Sequence, residues 1–143
     1  MISNDKLISL AKQYGTPLFV YDGELMLERY NDLFRFIPCD RLHIHYALKA
    51  NYNPALLTLL RDAGAGIDAV SPGEVVLALA LGFAPEKIIY TANNMTDAEF
   101  DRVMKTGVTV NIGSLSRLKS VLPTIRAAGS VCDSTPMSAM ETM

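Results

Sequence analysis

Short apolar runs with strand character alternate with amphipathic stretches of helical period, four times in succession between Leu42 and Leu122. That order constrains the fold more than any other feature of the chain. Parallel strands cannot be joined by tight turns, so each needs a helical crossover, and the result is a parallel α/β sheet. The first unit is a strand over Leu42–Leu48 and a helix opened by Asn53-Pro54, with Asn as N-cap and Pro in the first turn. Leu56, Leu57, Leu59 and Leu60 give it an apolar face, and Gly64 stops it. The second is a strand over Ile67–Val70 and a helix from Ser71-Pro72 to about Leu81, stopped by Gly82. The third is a strand over Lys87–Thr91 and a helix over Thr96–Thr106, closed by Gly107. The fourth is a strand over Val108–Ile112 and a helix from Ser114 to about Leu122. Ahead of these, Leu18–Tyr21 reads as a short strand, and Glu24–Phe36 as a helix carrying Leu25, Leu27, Tyr30, Leu33 and Phe34.

Length decides how far such a pattern can run. A complete (β/α)8 barrel needs ~250 residues, and the chain has 143. It can hold half a barrel or a small doubly wound sheet, and spacing alone does not choose. Half of the residues are apolar, enough for a core. A net charge of −2 argues against a nucleic-acid surface. No apolar run reaches the ~18 residues of a membrane span, and the N-terminus lacks a signal peptide's basic start and apolar run. Cys39 and Cys132 make no disulfide framework or metal motif. A soluble cytoplasmic protein is expected.

Lys49 is the first chemical candidate. Alternation along Leu42–Lys49 puts His43, His45, Ala47 and Lys49 on one face. Functional groups of parallel barrels gather at the C-terminal strand ends. A lysine there among apolar neighbours has a desolvated amine, as a Schiff-base lysine requires; a lysine snorkelling at a strand end is the plainer alternative. Asp68 lies one strand over and is less easily explained as structure. Ser71 and Glu74 have the spacing of a capping box, which alone accounts for both. Asn93 and Asn94 follow the third strand and suit either a cofactor contact or a turn. His43 and His45 read as interior packing residues rather than metal ligands. No glycine-rich nucleotide loop is present.

Taken in order, these residues resemble a known family. Tyr46-Ala47-Leu48-Lys49-Ala50-Asn51, followed by Asn53-Pro54, closely resembles the Tyr-Ala-x-Lys-Ala-Asn motif of diaminopimelate decarboxylases. Gly64-Ala65-Gly66-Ile67-Asp68-Ala69-Val70-Ser71-Pro72-Gly73-Glu74 is similar to the family's G-x-G-x-D-x-V-S-x-G-E. Gly82-Phe83, Pro85-Glu86-Lys87-Ile88 and Asn111-Ile112-Gly113-Ser114 extend the likeness, which runs from Thr16 to about Ser130. Met95 and Gly113 depart from it, standing where many members have a lysine and an acidic residue.

The resemblance implies a fold-type III, pyridoxal-phosphate enzyme. Residues 26–130 would be the N-terminal half of a (β/α)8 barrel of the alanine-racemase-like type, and residues 1–25 a segment leading into it. The family's C-terminal β-sandwich domain has no counterpart here. Lys49 would be catalytic and bind pyridoxal 5′-phosphate as its Schiff-base lysine. Asp68 would sit near the cofactor, with Ser71 and Glu74 in the turn supporting that site. The substrate would be an amino acid, meso-2,6-diaminopimelate, decarboxylated to L-lysine in a homodimer. Ornithine, arginine or carboxynorspermidine decarboxylation, or non-catalytic pyridoxal-phosphate binding, are the alternatives. The family's glycine-rich phosphate segment and late catalytic residues are missing, so the chain alone is expected to be inactive and, with open sheet edges, poorly soluble or unfolded. Residues 131–143 lack any helix or strand period. One base inserted after Ser130 can turn them into a segment resembling the family's Arg-Val-Arg-x-Asn-Pro-Asp-Val, so an out-of-frame or disordered tail is expected.

Overall fold

A sheet of four parallel strands, in the order β1-β2-β3-β4, organises the molecule. The structure, a computed structural model, describes residues 2–91 and 95–127. Helices α1 (Asn4–Tyr14) and α2 (Gly23–Phe36) come first. Then follow β1 (His45–Ala47), α3 (Pro54–Asp62), β2 (Gly66–Ala69), α4 (Pro72–Ala80), β3 (Ile88–Thr91), α5 (Asp97–Met104), β4 (Thr109–Asn111) and α6 (Leu115–Ala127). α2 runs through the 25/26 division placed from the sequence. The Asn93–Asn94 loop and the tail 131–143 lie outside the described residues.

Alternation along the strands sorts the residues between two environments. Ile67, Ala69, Ile88, Tyr90 and Val108 face the helices and are buried. They pack with Leu57, Val75, Ala78, Phe83 and Val103 into one core, each large side chain contributing roughly 1.5–3 kcal/mol. Asp68, Ile89 and Thr91, on the other face, are only half-buried, and Thr109 and Asn111 are exposed. The sheet is thus sealed on one side and open on the other. A smaller cluster of Tyr30, Leu60 and Ala65 fixes α2 against α3 and the start of β1.

The helix starts and stops follow their caps. Asn53 and Ser71 cap α3 and α4, each accepting a backbone N–H with its side-chain oxygen. Gly64 (φ 92°) and Gly82 (φ 83°) take the left-handed conformation where the two helices end. Lys87 Nζ donates to the Gly64 carbonyl at 3.1 Å, and the Arg61 guanidinium donates to the Leu81 carbonyl. Both tie one βα unit to the next.

Three expectations need correction, and one helix is new. Leu18–Tyr21 forms no strand; Leu18, Phe19 and Tyr21 are exposed, and among the described residues no strand lies beside it to complete a ladder. The first strand covers only His45–Ala47, because Leu48–Ala50 wind into a 3₁₀ turn. α1 carries no helix signal in the sequence reading, yet the Ser3 side chain caps it. α6 continues beyond Leu122 with Pro123 inside it.

The contact between β1 and β2 is tight. A Cβ on Gly66 would fall against the His45 ring and 2.6 Å from the Lys87 carbonyl oxygen. Gly66→Ala is therefore expected to destabilise the fold by about 1–3 kcal/mol. Removing the ring as well (His45→Ala) should restore only part of this, since the Lys87 carbonyl is backbone. Urea unfolding of the single and double variants checks both statements.

Candidate functional site

The C-terminal ends of β1 and β2 carry the chemically capable residues. β1 runs into the turn Leu48–Ala50, and Leu48, 1% exposed, anchors that turn in the core. Lys49 follows it and is exposed. It sits on the turn beyond the strand rather than on the strand itself, which corrects the alternation argument. Nor do the described residues supply the apolar surroundings expected of it, because this side of the sheet is open. The turn is held from its far side by asparagines. Asn51 Oδ1 accepts the Asn53 N–H at 2.9 Å, and Asn53 Oδ1 accepts the Ala55 N–H at 3.0 Å. These local bonds lock the path from Lys49 into α3. The role of Asn51 went unread in the sequence, although an Asx turn before an N-cap was a signal for it.

Asp68 lies on β2 beside Ala47 of β1, two residues short of Lys49. Register thus brings the amine-bearing turn and the carboxylate-bearing strand together. Among the described residues neither side chain makes a hydrogen bond or salt bridge. Ser71 and Glu74 are differently placed. Ser71 Oγ accepts the Glu74 N–H at 3.3 Å, and Glu74 Oε2 accepts the Val70 N–H at 2.6 Å. The pair holds the β2–α4 turn through Val70 rather than through the reciprocal box that its spacing predicts. A full reciprocal box forms at Thr96 and Glu99 instead. The Thr96 N–H, and after it the Thr96 hydroxyl, donate to the Glu99 carboxylate and lower its pKa below the ordinary value.

A cavity of about 480 Å³ opens at the other end of the strands, lined by His43, His45, Glu86, Lys87 and Thr109 among others. It is remote from Lys49, at the end of a parallel sheet that serves stability rather than chemistry. Burial is the main cause lowering the His45 pKa, followed by the His43 charge, with Lys87 adding to it and Asp68 opposing.

A lysine in the turn after β1 and an aspartate on β2, at one end of a parallel sheet, can be set beside what this chain is similar to. The family described as pyridoxal-dependent decarboxylase, pyridoxal binding domain, matches residues 24–131. The chain belongs to this family. Diaminopimelate decarboxylase of Methanothermobacter thermautotrophicus is 42% identical over 120 residues, covering 82% of this chain and 28% of that protein. That of Aquifex aeolicus is 41% identical over 118 residues, again 82% and 28%. The crystal structure of diaminopimelate decarboxylase from M. jannaschii in co-complex with L-lysine aligns with a TM-score of 0.79 at 30% identity, over 88% of this chain and 31% of that one. The chain therefore spans less than a third of the length of these relatives, and its four βα units correspond to the first part of their barrel.

The cofactor of this decarboxylase family is pyridoxal phosphate, and the residues present fit it. An aldehyde needs a reachable primary amine, and Lys49 is exposed with no competing partner among the described residues. Asp68 adds a carboxylate on the neighbouring strand that makes no hydrogen bond or salt bridge among the described residues.

Two outcomes follow from this geometry. Glu74→Ala leaves the Val70 N–H without its acceptor and should cost about 1 kcal/mol of stability, while Glu74→Gln retains an acceptor and most of the stability. Denaturant midpoints measure both. For His45 the folded ring holds its proton less tightly than the unfolded one. The unfolded state then binds more protons as pH falls, so stability present above about pH 6.5 is lost below it. His45→Gln should flatten the stability profile between about pH 7 and about pH 5, with unfolding midpoints against pH as the readout.

Proposed function

We propose that this chain is the lysine-bearing part of a pyridoxal-phosphate-dependent carboxy-lyase that converts meso-2,6-diaminopimelate to L-lysine. The observation that carries the reading is the register that sets Asp68 on β2 beside Ala47, two residues before Lys49 in the turn that ends β1. The substrate assignment is supported by relatives at 42% and 41% identity that are diaminopimelate decarboxylases. A cytoplasmic homodimer completes the proposal, as the sequence resemblance implies.

Bound pyridoxal phosphate supplies an electron sink for the pair released when carbon dioxide leaves an amino acid. This chain's residues supply the means to hold it. Lys49 Nζ is the covalent anchor, and once displaced by a substrate amine it can carry a proton at the same place. Asp68 places a carboxylate on the strand next to the one that leads into the Lys49 turn. Ser71 and Glu74 act on the cofactor site by fixing the turn that follows Asp68. Leu48 and the Asn51–Asn53 bonds keep the Lys49 turn from shifting.

Treating the chain with pyridoxal phosphate and borohydride, then mapping peptides, tests the anchor. Lys49 should take the label ahead of Lys6, Lys12, Lys87, Lys105 and Lys119, and Lys49→Arg should abolish that labelled peptide. Uniform labelling of all the lysines would sink the assignment. The absorbance of the loaded chain should change on adding diaminopimelate. Release of carbon dioxide is not expected from this chain, because the open sheet face leaves Lys49 in water.

A further inference from the structure

We propose that Thr91 and Asn111 are further cofactor contacts, donating to the anionic oxygens of the pyridoxal phosphate held at Lys49. The inference rests on the reading of Lys49 as the anchor. Register is its first support. Asp68 pairs with Ile89, and Ile89 pairs with Thr109, so these three share the open face. Thr91 and Asn111 lie two residues further along β3 and β4, pair with each other, and therefore face the same way. They are the last residues of their strands. That places them one layer above Asp68, at the end of the sheet where the Lys49 turn begins. Strands lie ~4.8 Å apart, so the lysine side chain and the cofactor together can bridge from β1 to β3 and β4.

The second support is what these side chains do not do. Asparagine is disfavoured in strands and is tolerated at turns because it bonds to nearby backbone. Asn51 and Asn53 do this work in the present chain. Asn111 does not: it is exposed, and among the described residues its side chain makes no hydrogen bond. The helix that follows is started by Ser114, whose Oγ accepts the Arg117 N–H at 3.2 Å. Thr91 is half-buried and likewise makes no side-chain hydrogen bond among the described residues. A strand-end asparagine and threonine, side by side and both without a side-chain hydrogen bond among the described residues, are the kind of local mismatch that marks a binding position.

The test is a titration of the full chain with pyridoxal phosphate, followed by absorbance, with borohydride trapping to confirm Lys49. Asn111→Ala and the isosteric Thr91→Val should each weaken binding about 2- to 10-fold, the loss of one hydrogen bond. Far-UV circular dichroism and the urea midpoint should stay unchanged. Thr109→Ala, on the same face but at the opposite end of β4, should bind as the wild type does. Wild-type affinity in both Asn111→Ala and Thr91→Val overturns the inference while leaving the Lys49 reading intact. A wild-type chain that takes no label at Lys49 overturns that reading, and this inference with it.

Discussion

The close packing of β1, β2 and β3 around Gly66 is the contact on which the remainder depends. The strands come together there because Gly66 has no side chain to hold the His45 ring or the Lys87 carbonyl away. With that approach made, the ladder sets Ala47 beside Asp68 and Asp68 beside Ile89. One register shift would turn Asp68 toward the helices and Ile67 toward water. The burial of Ile67 and Ala69 under α3 and α4 is therefore what holds the Asp68 carboxylate on the open face.

A division of labour follows along the strands. Their N-terminal ends hold His43, His45 and Lys87 around a cavity whose residues bear on packing. Their C-terminal ends lead into turns secured by Asn51, Asn53, Ser71 and Glu74 through bonds to backbone N–H groups. Those turns flank Lys49 and Asp68, and among the described residues neither of these side chains makes a hydrogen bond or salt bridge. The residues proposed for chemistry and those that give rigidity are thus different ones a few positions apart, an arrangement that keeps a strand-end site ordered while its side chains stay available.

Much of the fold was legible in the sequence. Asn53-Pro54, Ser71-Pro72, Gly64 and Gly82 announced α3 and α4 within a residue or two, because capping and left-handed glycines act through bonds only a few residues long. Elsewhere, residues with equal local credentials led astray. Leu18–Tyr21 is as strand-like as Ile88–Thr91, but only the latter has neighbours to pair with. Lys49 stood out in the sequence through its motif, and its role as the cofactor lysine is what we propose. Its place on a 3₁₀ turn was not legible there, since Leu48 leaves the strand to bury itself in the core. Ser71 and Glu74 advertised a capping box by spacing, yet Glu74 reaches Val70, a choice made by side-chain geometry.

By itself the sequence determined the parallel α/β class, the order of its units, the family, and Lys49 as the residue to watch. Those depend on periodicity, caps and motif spacing, all short-range properties of the chain. Tertiary structure alone decided that Lys49 stands clear of the strand, that Asp68 pairs with Ala47 across the ladder, and that Thr91 and Asn111 end their strands side by side. Strand register is set by how the helices bury one face, and that burial joins residues dozens of positions apart whose spacing along the chain carries no record of it.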